Sequence, residues 1–194
     1  MNRIERGKLL IAEPFLKDPN FQRTVVLLCE HETTGSFGIT INRVIDEKVA
    51  SFLEGIGNHE LSLFEGGPVG LDQLHFLHRL PLQIPGGKKI AENIYWGGNL
   101  EAAKYLINSG KAGNDGIRFF IGYAGWESGQ LKQEMKEKSW LSVAATEDIV
   151  FHEDPKSMWK EAVKALGEGF IEMINYPLDP FVHKIQLFIG LYLL

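Results

Sequence analysis

The run Val25-Val26-Leu27-Leu28-Cys29 constrains this chain more than any other segment. It is apolar at consecutive positions, not alternate ones, and so predicts a strand over Thr24 to Glu30 that lies inside a sheet with both faces covered. A strand from Gly7 to Ala12 precedes it, separated by a loop that Pro14 and Asp18-Pro19-Asn20 enforce, because proline fixes its own backbone and restricts its predecessor. The polar stretch His31 to Ser36 reads as a hairpin connection into a third strand, Phe37 to Asn42.

Beyond this nucleus, helices and strands intermix. Val49 to Leu53 predicts a short helix ended by Gly55 and Gly57, followed by strands at Leu61 to Phe64, Leu74 to His78 and Ile90 to Trp96, with turns at Gly66-Gly67-Pro68 and Pro85-Gly86-Gly87. Asn99 caps a helix running to Ser109 on which Leu100, Ala103 and Ile107 share a face. A strand from Ile117 to Tyr123 leads through a junction at Gly125 to Gly129 into a helix from Gln130 to Lys138, with Leu131 and Met135 inward and Glu134 and Lys138 outward. A strand over Trp140 to Ala144 and a helix from Lys156 to Leu166, stopped by Gly167, complete a mixed helix-and-sheet domain. Repeats, low-complexity tracts and linkers are absent.

At 194 residues the chain is long enough to bury a core without covalent staples. A formal charge of -5 opposes phosphate backbones and anionic lipid, which weighs against nucleic acid as a partner. The lone cysteine, Cys29, excludes an internal disulfide and fits a reducing compartment, so the expected location is the cytoplasm. The first residues lack the apolar core of a signal peptide. Phe181 to Leu194 is apolar but shorter than the roughly 20 residues of a spanning helix, so no membrane span is expected.

Candidate chemistry is sparse. Cys29 and His31, two apart on a strand, would share a face and could form a thiolate nucleophile, yet a cysteine in an apolar strand is ordinarily an inert small hydrophobe. His31, His59, His75, His78 and His152, with Glu153 and Asp154, follow no metal-ligand spacing, and neither metal nor cofactor is expected. Gly66-Gly67-Pro68-Val69-Gly70 has the glycine density of a phosphate cradle without its spacing or its lysine, and reads as a structural turn. Tyr123 to Gln130 is the most site-like stretch, a glycine-flexed junction with an aromatic and polar groups. A structural account covers it too: Glu127 as N-cap, Trp126 stapled onto Leu131 and Gln130 closing a capping box. A ligand or partner surface, if present, is placed at Gly66, Gly67, Pro68, Tyr123, Trp126, Glu127 and Gln130.

Several blocks in register carry a resemblance: Gly7-Lys8-Leu9-Leu10-Ile11-Ala12, Asp18-Pro19-Asn20-Phe21 with Arg23, Val25-Val26 through Cys29-Glu30-His31, Gly66-Gly67-Pro68-Val69, and Gly122-Tyr123-Ala124-Gly125-Trp126 with Gly129-Gln130-Leu131. In that order, over about Gly7 to Tyr176, the chain resembles the YqgE/AlgH family of bacterial proteins. The resemblance implies an α+β fold (mixed α/β) with a bifurcated mixed sheet closing into a small barrel surrounded by helices. It implies no catalytic residues, and some members carry the label of transcriptional regulator. Two departures stand out: Val44 follows Asn42-Arg43 where the family commonly has proline, and the chain continues past Asp179-Pro180 where the family usually stops. Residues 1–180 are therefore read as one domain and 181–194 as an apolar tail.

Three functions follow for testing. The first is a non-catalytic regulatory or binding protein working through a protein or small-ligand contact, the second a transcriptional regulator that binds DNA directly, and the third a thiol-dependent enzyme built on Cys29 and His31.

Overall fold

In the computed structural model, which describes residues 3–57 and 59–177, each residue from Val25 to Cys29 is fully buried in an interior strand. That strand is β2 (Val25–Glu32), flanked by β1 (Lys8–Ala12) and β3 (Gly35–Thr40). The remaining strands are β4 (Val44–Lys48), β5 (Ser62–Glu65), β6 (Val69–His78), β7 (Lys88–Ala91), β8 (Ile94–Trp96), β9 (Ile117–Glu127) and β10 (Trp140–Ala144). Helices α1 (Leu100–Asn108), α2 (Gln130–Lys136), α3 (Glu147–Val150) and α4 (Met158–Ala165) are joined by 3-10 turns at Val49–Ser51 and Glu168–Asn175. The strands run β10-β1-β2-β3-β9-β6-β8-β7, with β5 and then β4 branching from β9. The sheet is antiparallel except for β5 on β9, and it curls into a half-barrel flanked by helices.

Both faces of β2 are covered, as its apolar run requires. Leu27 and Cys29 meet Leu9, Ile39 and Phe120 together with Met158, Trp159 and Val163 of α4. Val26 and Leu28 meet Leu10, Ala124, Trp126 and Trp140 under Leu131 of α2. A third cluster packs Ala103, Leu106 and Ile107 of α1 on Phe76, Ile117 and Phe119. Each buried side chain of this size contributes about 1.5–3 kcal/mol.

The bifurcation that the resemblance implies occurs on one edge of β9. Phe119 to Ile121 pair with β5, then Ala124 to Glu127 pair with β3. Between them Gly122 has φ 72°, and the Gly66 N–H donates to the Ile121 carbonyl at 2.7 Å while its own carbonyl accepts from Thr40 at 2.8 Å. A Cβ on Gly66 would lie 2.2 Å from the Gly122 oxygen, and one on Gly67 2.2 Å from the Tyr123 oxygen. Glycine stands here because two backbones cross.

The structure matches the expected β1, β3, β5 and β10, the α1 helix with the Asn99 side chain accepting from Ala102 N–H at 2.9 Å, and an α4 that stops before Gly167. Other expectations are corrected. The hairpin turn is confined to Thr33-Thr34, because β2 continues through His31 and Glu32. Ile90 to Trp96 is two strands around Glu92-Asn93, with Asn93 at φ 56° taking the left-handed position usually given to glycine. β6 starts at Val69, five residues before the expected strand, and β9 runs on to Glu127, so Gly125 and Trp126 lie in a strand and not in a junction. The helix after it ends at Lys136, and Lys138 has φ 62°. α3 and the final 3-10 turn carry too little periodicity to read from sequence; Phe170, Met173 and Ile174 of that turn pack on the α4 cluster. Arg23 stacks 4.2 Å over Trp159 and donates to the carbonyls of Tyr176 and Pro177, tying the turn down. Among the described residues no helix is long and apolar enough to cross a membrane. The tail Phe181 to Leu194 lies outside the described residues.

Candidate functional site

One local irregularity decides where the polar groups of β2 go. The register of β2 on β3 shifts between Leu28, opposite Gly38, and Glu30, opposite Phe37, which makes Cys29 the extra residue of a β-bulge. Cys29 faces the α4 cluster, and the bulge resets the alternation so that Glu30 and Glu32 share the face of Phe37 while His31 turns to the other side.

Directly opposite residues on neighbouring strands share a face, so the β2–β3–β9 register builds two rows. One row is Glu30, Phe37, Gly125, and the next is Glu32, Gly35, Glu127. Gly35, where a Cβ would lie 2.6 Å from the Trp126 carbonyl oxygen, stands between two carboxylates rooted two strand spacings apart, roughly 10 Å. These rows line an open groove of about 650 Å³, completed by Val69 and Tyr123 at the mouth of the half-barrel.

The back of the groove is aromatic. Phe37 stacks on Trp96 with centroids 4.7 Å apart and lies 4.9 Å from Tyr123 and 5.4 Å from His75. All four rings are half-buried. They come from β3, β6, β8 and β9, which the curl of the sheet brings together. Tyr123 fits between two glycines, since a Cβ on Gly70 would meet its ring at 2.8 Å and one on Gly125 at 3.3 Å. Between Val69 and Leu74, β6 bulges away from β9, leaving Val69, which lines the groove, 41% exposed and Leu71 59% exposed.

The charges are unequally matched. Glu30 is bonded by the Lys88 ammonium, reaching from β7. Glu32 and Glu127 are exposed and form no ion pair among the described residues. Burial pushes the His75 imidazole below the ordinary histidine value, so it is neutral at physiological pH.

The structure separates several residues that the sequence grouped. Cys29 and His31, expected on one face, are on opposite faces because of the bulge; the thiol donates to the Leu27 carbonyl at 3.5 Å and burial pushes it far above the ordinary thiol value, while His31 Nδ1 lies 2.7 Å from the Ser36 hydroxyl. Tyr123 and Glu127 reach the groove. Trp126, adjacent in β9, packs its side chain beneath α2 with Leu131. The N-cap of α2 is Gly129 and not the expected Glu127, which ends β9, so Gln130 is the first helical residue and not a capping-box glutamine. Gln130 accepts from the Glu127 N–H at 3.0 Å and donates to Glu134 at 2.9 Å. Glu134, expected outward, instead accepts the indole N–H groups of both Trp126 and Trp140, each at 2.8 Å. Gly66 and Gly67 are buried at the crossing, with Pro68 exposed just before Val69. His78 is fully buried, its Nδ1 accepting from the Leu80 N–H at 3.1 Å, and Asp154 N–H donates to His152 Nδ1 at 3.1 Å. No three histidine, cysteine or acidic side chains among the described residues are grouped to hold a metal ion. Glu30, Glu32, Phe37 and Trp96 were missed as site residues; Phe37 and the alternating Glu30 and Glu32 were the available signal.

A family model described as AlgH-like matches residues 9–170. A UPF0301 protein from Cytophaga hutchinsonii is 40% identical over 178 residues, 91% of this chain and 98% of that one. Another from Chlorobium limicola is 39% identical over 179 residues, 92% of this chain and 96% of that one. The solution structure of the AlgH protein from Pseudomonas aeruginosa is similar at a TM-score of 0.68 and 28% identity, covering 91% of this chain and 98% of that chain. A crystal structure from Corynebacterium diphtheriae shares the fold at a TM-score of 0.75 and 21% identity, covering 90% and 94%.

Proposed function

The chain belongs to the AlgH-like family, and from that premise we propose that it is a non-catalytic binding protein whose regulatory action runs through a protein contact at the mouth of the half-barrel. The observation that carries this reading is the half-exposed aromatic cluster of Phe37, His75, Trp96 and Tyr123, which opens through Phe37 and Tyr123 onto a groove with an apolar edge at Val69. Contiguous apolar and aromatic surface of this kind, rimmed by polar groups, characterises contact sites. Direct DNA binding gains nothing from the groove, whose carboxylates repel phosphate. The thiol reading has its nucleophile sealed in the core and its base on the other face. The buried, unpaired Cys29 suits a reducing compartment, and we place the protein in the bacterial cytoplasm.

The test is site-specific photocrosslinking in the native host, with the crosslinking amino acid at Val69 and, as control, at the exposed Lys160 of α4. The expected result is a discrete protein adduct at position 69 that is absent at 160 and survives nuclease. Identical patterns at both positions, or no adduct at 69, refute the contact surface. Adducts that disappear with nuclease return the DNA reading.

A further inference from the structure

Resting on that binding reading, we infer that the groove receives a basic, extended segment of a partner protein, seating an arginine or lysine cation between Glu32 and Glu127 and against the rings of Phe37 and Tyr123. The two carboxylates lie on one face of the sheet, on either side of Gly35, where a Cβ would collide with the Trp126 carbonyl oxygen at 2.6 Å and no side chain stands between them. Lys88 neutralises Glu30, so the negative charge left over at the mouth belongs to Glu32 and Glu127. A cation drawn between them lies beside aromatic faces that attract it in their turn.

The shape indicates a chain segment and not a free organic cation. The groove, at about 650 Å³, is many times the size of a single cationic group. Val69 at its edge is 41% exposed, and Leu71, two residues further along β6, is 59% exposed, apolar surface that a small cation would leave in water. An extended segment with apolar residues next to its basic ones covers both, because alternate side chains of a strand separate to two sides.

Binding to the full chain is measured by fluorescence anisotropy with a labelled peptide alternating arginine and valine, against the same peptide with glutamate in place of arginine. The basic peptide binds, its affinity falls with added salt, and the acidic one does not bind. The double variant E32Q/E127Q, at exposed positions that bear no packing, weakens binding roughly tenfold. A charge-matched remote pair, D148N/E153Q, leaves it unchanged. Equal binding of both peptides, or equal losses in the two double variants, overturns the inference. Absence of peptide binding alongside an intact crosslink at Val69 overturns the basic-segment inference and leaves the contact surface standing, whereas loss of both removes both.

Discussion

Replacing Glu134 with alanine tests the least expected polar arrangement in the fold. One carboxylate oxygen of Glu134 accepts the indole N–H of both Trp126 and Trp140 at 2.8 Å, and the other accepts from Gln130 at 2.9 Å. The two tryptophans are 6% and 2% exposed, so their N–H groups have little access to water once the carboxylate is gone. Hydrogen bonds to a charged group contribute about 1.5–3 kcal/mol each. Glu134 is itself half-buried, and water entering beside α2 recovers part of the loss, so Glu134→Ala is expected to cost about 2–4 kcal/mol. Glu134→Gln keeps an oxygen for both indoles but loses the charge, and is expected to cost about 1 kcal/mol. With a urea m-value of about 2 kcal/mol/M, the alanine variant unfolds about 1–2 M earlier, read by the fluorescence of these same tryptophans. An alanine midpoint within about 0.3 M of the parent, or equal costs for alanine and glutamine, would show that the shared carboxylate does not hold α2 to the sheet.

Two further expectations concern backbone and pH. Gly66→Ala drives a Cβ to 2.2 Å from the Gly122 oxygen and should destabilise by several kcal/mol, on the order of 3–5; Gly129→Ala, at φ 78° with open space around it, should cost about 1–2 kcal/mol. Equal urea midpoints for the two variants would contradict the crossing. Burial lowers the pKa values of His75 and His78 in the folded state, for His78 against a smaller upward pull from the Gly97 backbone. The unfolded chain therefore binds protons more readily below about pH 6.5, and stability that is full above that value falls as pH drops towards the folded values. Urea midpoints from pH 8 to 5 should show a plateau followed by a decline, and His78→Gln should flatten part of it; a midpoint rising on acidification would reverse the sign.

The parts of the fold legible in the sequence were those fixed by local chemistry. An uninterrupted apolar run defined β2, Asn99 marked the start of α1, and Gly167 marked the end of α4. Of the residues expected at a contact surface, Tyr123, Trp126 and Glu127 line the groove. Its remaining residues depend on pairing between distant segments: the bulge at Cys29 exists only against β3, and it alone decides that Glu32 and not His31 shares the groove face. Gly125 read as the start of a strand-to-helix junction because nothing local shows that Phe37 lies opposite it. Trp126 read as packing onto Leu131 of the following helix, and it does so from within β9, which continues through the expected junction.

The position of β9 also sets an order of assembly. It pairs with β3, β5 and β6, so the two halves of the sheet meet only through a strand that comes late in the chain, and β1 gains its outer neighbour only from β10. During synthesis β1 to β8 all emerge before β9, and the edge of β3 that β9 will cover is left with unpaired N–H and C=O groups. Such distant pairings slow folding, because the chain must close long loops before the contacts stabilise it. The interval between synthesis of β3 and arrival of β9 is therefore when this chain is most exposed to pairing with another copy of itself.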